Sequence, residues 1–286
     1  MQVCAVVLTC NRVAMLETCL SHLEAQTRAP DHVLVVDNGS SDGTQELLAG
    51  RPEIESVRLP ENVGGAGGYA HGLKEALERG FDWIWLLDDD AFAEQGCLEA
   101  LLDGVRRAPR KPDLVTSAVR WTDSRLHPMN RPWLRTNRPG DFAEAAGAGL
   151  ALVRAATSVS TMVSAEAVRR HGFPPAHYGV WIDDIEWTGR ILREGAGYLV
   201  PESVTVHATA QPRDTVDDAR DRFYFKARNQ LWLLRSGRSF GGVERFYYGL
   251  AYLSAIRRYV AQSPSRREAV LTVARGVRDG LRREPR

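Results

Sequence analysis

At 286 residues, with 44% hydrophobic and 26% charged side chains, the chain can bury a full core and reads as one catalytic domain with an appendage. A net charge of +1 argues against a general nucleic-acid binder, yet it hides an asymmetry: residues 235–286 hold 12 Arg, no Lys and 4 acidic residues, a net +8 that leaves about −7 for the rest. Cysteines at 4, 10, 19 and 97 form no C-x-x-C pair, the start lacks a basic n-region, and the apolar run from Phe246 to Ile256 is too short to span a bilayer, so reduced thiols and a cytoplasmic location are expected.

The first 90 residues alternate short β-branched runs with helical patterns, the signature of an α/β fold with a parallel sheet covered by helices. Val3–Leu8 predicts a strand, and Leu16, Leu20 and Leu23 recur at helical spacing after it. His32–Val36 predicts a second strand ending at Asp37, with a Gly-Ser-Ser-Asp-Gly turn leading into a helix over Thr44–Ala49. Glu55–Leu59 predicts a third strand, followed by a glycine-rich turn and a helix through Leu73 and Leu77. Trp83–Leu87, apolar at every position, predicts a central strand covered on both faces, and it ends in Asp88, Asp89 and Asp90. Ligands of open α/β sheets bind beyond the carboxyl ends of such strands, where Asn11, Asp37, Asn62 and the three aspartates stand.

Leu98, Leu101 and Leu102 then mark a helix, and residues 121–148, rich in Pro, Arg and Gly, predict a long loop over the site. A strand over Ser158–Val163, a helix from Ala165 to His171, the segment Trp181–Glu194 and strands near Tyr198–Val200 and Val204–His207 complete the domain. From Asp217 onward the chain predicts helices broken at Gly237, Gly241–Gly242 and Pro264. The expected division is a catalytic domain over 1–232 and a basic helical extension over 233–286.

Asp88 and Asp90 are two apart, so on an extended backbone their carboxylates point the same way, about 6.5 Å between α-carbons. That suits one hard divalent cation shared with a diphosphate, although a solvated acidic turn would look the same locally. Asp37 in Val35-Val36-Asp37-Asn38-Gly39-Ser40 offers a carboxylate to a base or ribose, or simply good turn chemistry. Asn62-Val63-Gly64-Gly65-Ala66-Gly67-Gly68 permits close backbone approach to a ligand and is also a loose dinucleotide fingerprint through Gly65, Gly67 and Ala70. That fingerprint follows the third strand rather than opening the fold, and a nicotinamide ribose needs one acid, not three. Asp183, Asp184 and Glu186 stand between Trp181 and Trp187 at the start of a helix, where acids cap favourably but an aromatic-walled carboxylate also suits a general base. His207 ends the strand Val204-Thr205-Val206, as a structural histidine or a third metal ligand. In Arg222–Asn229, Lys226 and Arg228 sit among aromatics, able to meet a diphosphate or an anionic acceptor or to pack on the sheet.

Taken in order, Val7–Arg12, Val35–Thr44, Asn62–Gly68, Trp83–Asp90, Trp181–Trp187, His207 and Arg222–Asn229 resemble the inverting family-2 glycosyltransferases, most of all bacterial galactofuranosyl- and rhamnosyltransferases. The resemblance implies a GT-A, nucleotide-diphospho-sugar transferase fold: a Rossmann-like mixed sheet flanked by helices. It implies that Thr9, Asn11, Arg12, Asp37, Asn62, Gly64, Gly65, Asp88 and Asp89 hold a UDP- or dTDP-sugar. Asp88 and Asp90 match the D-x-D motif and, with His207, would bind Mn²⁺ or Mg²⁺. Asp184 matches the general base, with Asp183 beside it, and Trp181, Trp187 and Glu186 would meet the acceptor, a glycan, a lipid-linked glycan or a small natural product. No Q-x-x-R-W motif follows the base, which points to single additions rather than processive synthesis. A nucleotidyltransferase is the main alternative from residues alone, but it would carry a Gly-rich cationic loop where this chain has Thr9-Cys10-Asn11-Arg12.

The basic tail, with Arg257, Arg258, Arg266, Arg267, Arg275, Arg278, Arg282 and Arg283, suits either a peripheral contact with anionic lipid or a solvated cap on an acidic body.

Overall fold

The β-branched and aromatic runs form strands buried on both sides, as their lack of alternation requires. The computed structural model describes residues 1–212 and 220–282, so Asp217 and Arg283 lie outside the described residues. In chain order the first half holds β1 (Val3–Thr9), α1 (Val13–Glu24), β2 (His32–Asp37), α2 (Thr44–Ala49), β3 (Glu55–Arg58), α3 (Gly64–Glu78), β4 (Trp83–Asp88), β5 (Ala91–Ala93) and α4 (Cys97–Arg107). The second half holds β6 (Leu114–Arg120), β7 (Trp133–Leu134), α5 (Pro139–Gly147), β8 (Ala151–Ala155), β9 (Thr161–Ser164), α6 (Ala165–His171), α7 (Asp183–Ile191), β10 (Gly197–His207), α8 (Phe223–Ser236), α9 (Gly242–Gln262) and α10 (Arg266–Leu281).

The sheet order is β3-β2-β1-β4-β9-β6-β10-β8-β7, with β5 paired to β10. β1, β2, β3 and β4 are mutually parallel, β9 enters antiparallel between β4 and β6, and β6 and β10 are parallel, so the sheet is mixed. Successive residues of a strand face opposite sides. Val3, Ala5 and Val7 of β1 belong to the core on one side of the sheet with Leu16 and Leu20 of α1 and Leu98 and Leu101 of α4, while Cys4 and Val6 belong to the core on the other side with Leu73 of α3 and Trp187 and Ile191 of α7. A separate helical layer joins Phe223 and Ala227 of α8 to Tyr252 and Tyr259 of α9 and Ala269 of α10. The boundary expected at 232/233 therefore falls inside α8, and the helical layer begins at Phe223.

Several elements differ from expectation for local reasons. The glycine run is not a turn: from Gly64 it is the first turn of α3. A Cβ at Gly68 would strike Leu8 and one at Gly72 would strike Val6, so these glycines let α3 lie directly on β1. The two strands expected near 198 and 206 are one strand whose register shifts between Val200 and Val204, around Pro201, which cannot donate to a ladder. The expected loop at 121–148 contains β7 and α5. β6 was not foreseen; in Leu114-Val-Thr-Ser-Ala-Val-Arg small polar residues interrupt the apolar run. Those polar groups are buried together, Ser117 Oγ lying 2.7 Å from both Ser160 Oγ and Ser203 Oγ, with Cys97 Sγ 3.1 Å from Ser203 Oγ.

Candidate active site

Register places the functional groups at one edge. Thr9 on β1 is the partner of Asp37 on β2, and Leu8 is the partner of Asp88 on β4. Two cavities open beyond these ends and share a wall made of Gly65, Asp88, Gly179 and Val180. The first, about 650 Å³, is lined also by Thr9, Arg12, Asn38, Asn62, Gly64, Asp89, Arg222 and Phe225. The second, about 460 Å³, is lined by Tyr69, Asn130, Trp133, Trp181, Asp183, Asp184, His207 and Lys226.

The antiparallel register of β10 on β5 sets His207 opposite Ala91, beside the aspartates. Asp88, Asp90 and His207 each present a ligand atom within 4.8 Å of the others. His207 Nε2 is 3.1 Å from Asp90 Oδ1, and its Nδ1 lies 2.8 Å from Asn130 Oδ1. Asn130 was not foreseen; it belongs to the segment expected only to cover the site. Tyr69 was likewise missed, and its hydroxyl bonds Asp88 Oδ1 at 2.5 Å. Helical spacing from Gly65 was the available signal, since Tyr69 stands one turn later on the face that meets the sheet end.

The three aspartates have different environments. Burial, then the Asp90 charge, raises Asp88 above the ordinary carboxylate range. Asp89 accepts from Thr9 Oγ1 at 2.8 Å and Arg12 Nη1 at 3.2 Å, and burial still pushes it up to about 6. Burial acts the same way on Asp90, but His207 and Arg12, at 3.1 and 2.6 Å, outweigh it and hold its carboxyl low. Asp89 thus ties β1 and Arg12 to the site rather than joining the metal-ligand cluster.

Asp183 and Asp184 open α7 on the far wall of the second cavity. Burial and then the Asp184 charge raise Asp183 well above its usual value, and burial with a further contribution from Asp88 raises Asp184 to about 6. The turn before them is strained, for Trp181 and Ile182 adopt φ of 64° and 71°, a region costly for a β-branched residue. Asn229 of α8 holds that turn by donating to the carbonyls of Tyr178, Val180 and Trp181 at 3.0, 3.0 and 2.9 Å. Gly64, at φ +80°, lies so close to the same turn that a Cβ there would be 2.5 Å from the Gly179 oxygen.

Other expected site residues stand elsewhere. Trp187 is fully buried against the sheet with its indole N–H on the Gly172 carbonyl, and Glu186 is buried against Arg190 and Ser239, so neither meets the second cavity; they stand a turn further along α7, where the helix is already enclosed by the core, and only its first residues reach the cavity. Asn11 is exposed and accepts from Ser41 N at 2.7 Å, bracing the turn after β2. Asp37 is buried beside Asn38 of the first cavity, with Oδ1 accepting from Ser40 N at 2.8 Å and Oδ2, which makes no hydrogen bond among the described residues, 3.8 Å from Arg58 Nε. Arg228 lies over Trp232 and Phe225 and donates to the Tyr178 carbonyl at 2.9 Å, which makes it a brace for the turn instead of an anion ligand.

A mixed sheet of this order, with Asp88 on the wall between two adjoining cavities, has the GT-A fold. Residues 4–171 match the family described as Glycosyl transferase family 2. Galactofuranosyltransferase GlfT1 of Mycobacterium tuberculosis (strain ATCC 25618 / H37Rv) is 34% identical over 248 residues, covering 80% of this chain and 81% of the relative. Two solved structures share the fold: Staphylococcus aureus TarS 1-349 in complex with UDP-GlcNAc (TM-score 0.67, 13% identity, 98% of this chain and 81% of that one), and the mannosyltransferase PcManGT from Pyrobaculum calidifontis in complex with GDP-Man and Mn2+ (TM-score 0.56, 16% identity, 98% and 81%). The chain belongs to glycosyltransferase family 2, which sets aside the nucleotidyltransferase and dehydrogenase alternatives.

Proposed function

We propose that this glycosyltransferase works in the cytoplasm, moving galactofuranose from UDP-galactofuranose to one hydroxyl of a glycan, lipid-linked or small-molecule acceptor, with inversion and one addition per encounter. The position of Asp88 carries the reading, because its carboxylate belongs to both cavities while Asp184 faces it across the second. A donor diphosphate at the shared wall then places its sugar between the two. The similarity to GlfT1 supports the choice of sugar.

The first cavity takes the nucleotide, with Thr9, Arg12, Asn62, Gly64, Gly65 and Asp89 around it. Asp37, next to Asn38 of this lining, offers a base N–H its Oδ2, which makes no hydrogen bond among the described residues and has Arg58 Nε 3.8 Å away. The positive end of the α3 dipole lies at the same wall and favours a diphosphate. Asp184 takes the proton from the acceptor hydroxyl as that oxygen attacks the anomeric carbon from the face opposite the diphosphate. Trp181 offers an aromatic wall to the acceptor. Residues 1–222 form the catalytic unit in this reading, and the helices from Phe223 form the extension.

Asp88, Asp90 and His207 fit Mn²⁺ or Mg²⁺ by donor type and spacing. Two crowded carboxylates offer the negative charge, and Asn130 fixes the imidazole so that Nε2 faces them. When bound, such an ion supplies positive charge to the departing diphosphate. The test is a donor panel of UDP-galactofuranose, UDP-GlcNAc and dTDP-rhamnose, each with Mn²⁺, Mg²⁺ or EDTA, with products identified by mass. Turnover of UDP-galactofuranose that EDTA abolishes and Mn²⁺ or Mg²⁺ restores is expected. Turnover of dTDP-rhamnose alone would refute the sugar, and activity untouched by EDTA would refute the metal.

A further inference from the structure

Helix α9 is apolar on two opposite faces. Tyr252, Ala255, Ile256 and Tyr259 join the layer shared with α8 and α10. On the other side Val243, Phe246, Tyr247, Leu250 and Leu253 remain exposed, from 50% at Leu250 to 73% at Val243. At 100° per residue these five fall within an arc of roughly 120°, and the exposed Arg257 continues the same line. A helix apolar all round is normally covered all round, and a contiguous stripe of large apolar side chains marks a face that meets another apolar phase.

The stripe begins at a cationic cavity. About 290 Å³ in volume, it is lined by Arg135, Arg138, Arg154 and Arg193 together with Gly241, Gly242, Val243 and Glu244 at the start of α9. Two carboxylates face these guanidiniums: Glu244 pairs with Arg154 at 2.6 Å, and Asp141 lies 3.6 Å from Arg138. Arg193 donates to the Gly237 and Arg238 carbonyls. Arg135 is 5% exposed, and among the described residues its side chain bonds only the Leu192 carbonyl. Burial, then Arg154 and Arg138, push its guanidinium down to about 10. Val243 belongs both to this cavity and to the stripe, so an anion held by the arginines sits at the edge of the apolar face.

We propose that this surface docks the protein on an anionic lipid bilayer, a headgroup phosphate entering the arginine cavity while the α9 stripe lies at the acyl boundary. Charge selects this occupant. Besides Arg257, α10 carries Arg266, Arg267, Arg275 and Arg278 against Glu268 and Asp279, and Asp279 is already paired with Arg278 and Arg282. A second copy docked through the same face presents the same cations there and gains no charge complement. No helix among the described residues is long and apolar enough to cross a membrane, so the docking is peripheral.

Flotation of the full chain with phosphatidylcholine vesicles, with and without phosphatidylglycerol, tests the proposal. Two variants act on exposed positions: Phe246→Ser/Leu250→Ser/Leu253→Ser on the stripe and Arg138→Glu/Arg193→Glu at the cavity. The wild type is expected to float only with phosphatidylglycerol, each variant at least about tenfold less, as loss of several surface cations or of the apolar face implies. Circular dichroism and UDP binding are expected to stay at wild-type values. Equal flotation of all three proteins would overturn the proposal, and so would binding of inorganic pyrophosphate at the cavity without any flotation. A dimer seen by light scattering without lipid, and abolished by the serine variant, would assign the stripe to a second copy instead.

Discussion

The Tyr69 hydroxyl donates to Asp88 Oδ1 at 2.5 Å, so the helix that opens on the glycine run also orients a proposed metal ligand. Tyr69→Phe removes this bond with almost no change of shape. It is expected to raise the Mn²⁺ concentration for half-maximal activity about 10–100-fold, the usual cost of losing a group that orients a ligand. Donor turnover at saturating Mn²⁺ should recover. An unchanged metal titration would mean that Tyr69 only packs.

Asp184 can act as a base only when ionised. Burial raises its carboxyl to about 6, with Asp88 adding to the effect and the Ile185 N–H opposing it. The sign follows directly: kcat/KM should be flat above that range and fall as pH drops through it. A cation beside Asp88 moves the limb lower. Asp184→Asn should reduce kcat by about 10²–10⁴-fold, the span of general-base catalysis, and remove the acidic limb while UDP binding persists. Equal loss of UDP binding and transfer would count against the base assignment.

The neighbouring Asp183 makes a stability prediction. Burial, then the Asp184 charge, raises its carboxyl well above the usual range, so ionisation is disfavoured in the fold relative to the unfolded chain. The destabilisation is absent below the unfolded value near 3.9 and complete above the folded one. Asp183→Asn should therefore raise Tm at pH 8 by about 3 °C, equivalent to roughly 1 kcal/mol in a chain of this size, and by almost nothing at about pH 3. A gain that is the same at both values would not come from charge.

Asn229 satisfies three carbonyls of the turn that delivers Asp183 and Asp184, where Trp181 and Ile182 hold positive φ. Asn229→Asp keeps the shape but cannot donate. Leaving such carbonyls unpaired costs on the order of 1–3 kcal/mol, which predicts a Tm lower by about 5 °C. Because the turn carries the proposed base and, through Gly179 and Val180, only one wall of the donor cavity, kcat should fall about tenfold with a smaller rise in donor KM. A parallel rise in donor KM would show a wider collapse.

The strands β1, β2 and β4 were legible because each is a short apolar run bounded by turn residues, and a strand buried on both faces needs nothing from distant sequence to be recognised. β6 escaped because Thr116 and Ser117 are buried polar residues satisfied by Thr161, Ser160 and Ser203, partners 43 to 86 residues away in the chain. The glycine run was legible as a place of close approach, but half of that approach is to Leu8 and Val6 rather than to a ligand. Trp187 and Glu186 were placed at the acceptor by adjacency alone; one turn along α7 the helix is already inside the core.

Local sequence therefore determined the order of elements from β1 to β4, the three acids at the end of a buried strand and the acid pair opening α7, because hydrophobic periodicity and turn chemistry act over a few residues. Only the tertiary structure decided what each acid does. Thr9 and Arg12 draw Asp89 to β1, His207 and Arg12 hold Asp90 ionised, Tyr69 turns Asp88, and α8 fixes the turn before Asp184. A carboxylate's orientation and proton affinity depend on the dielectric and the charges within a few ångströms, and in this chain those neighbours come from segments up to 117 residues apart.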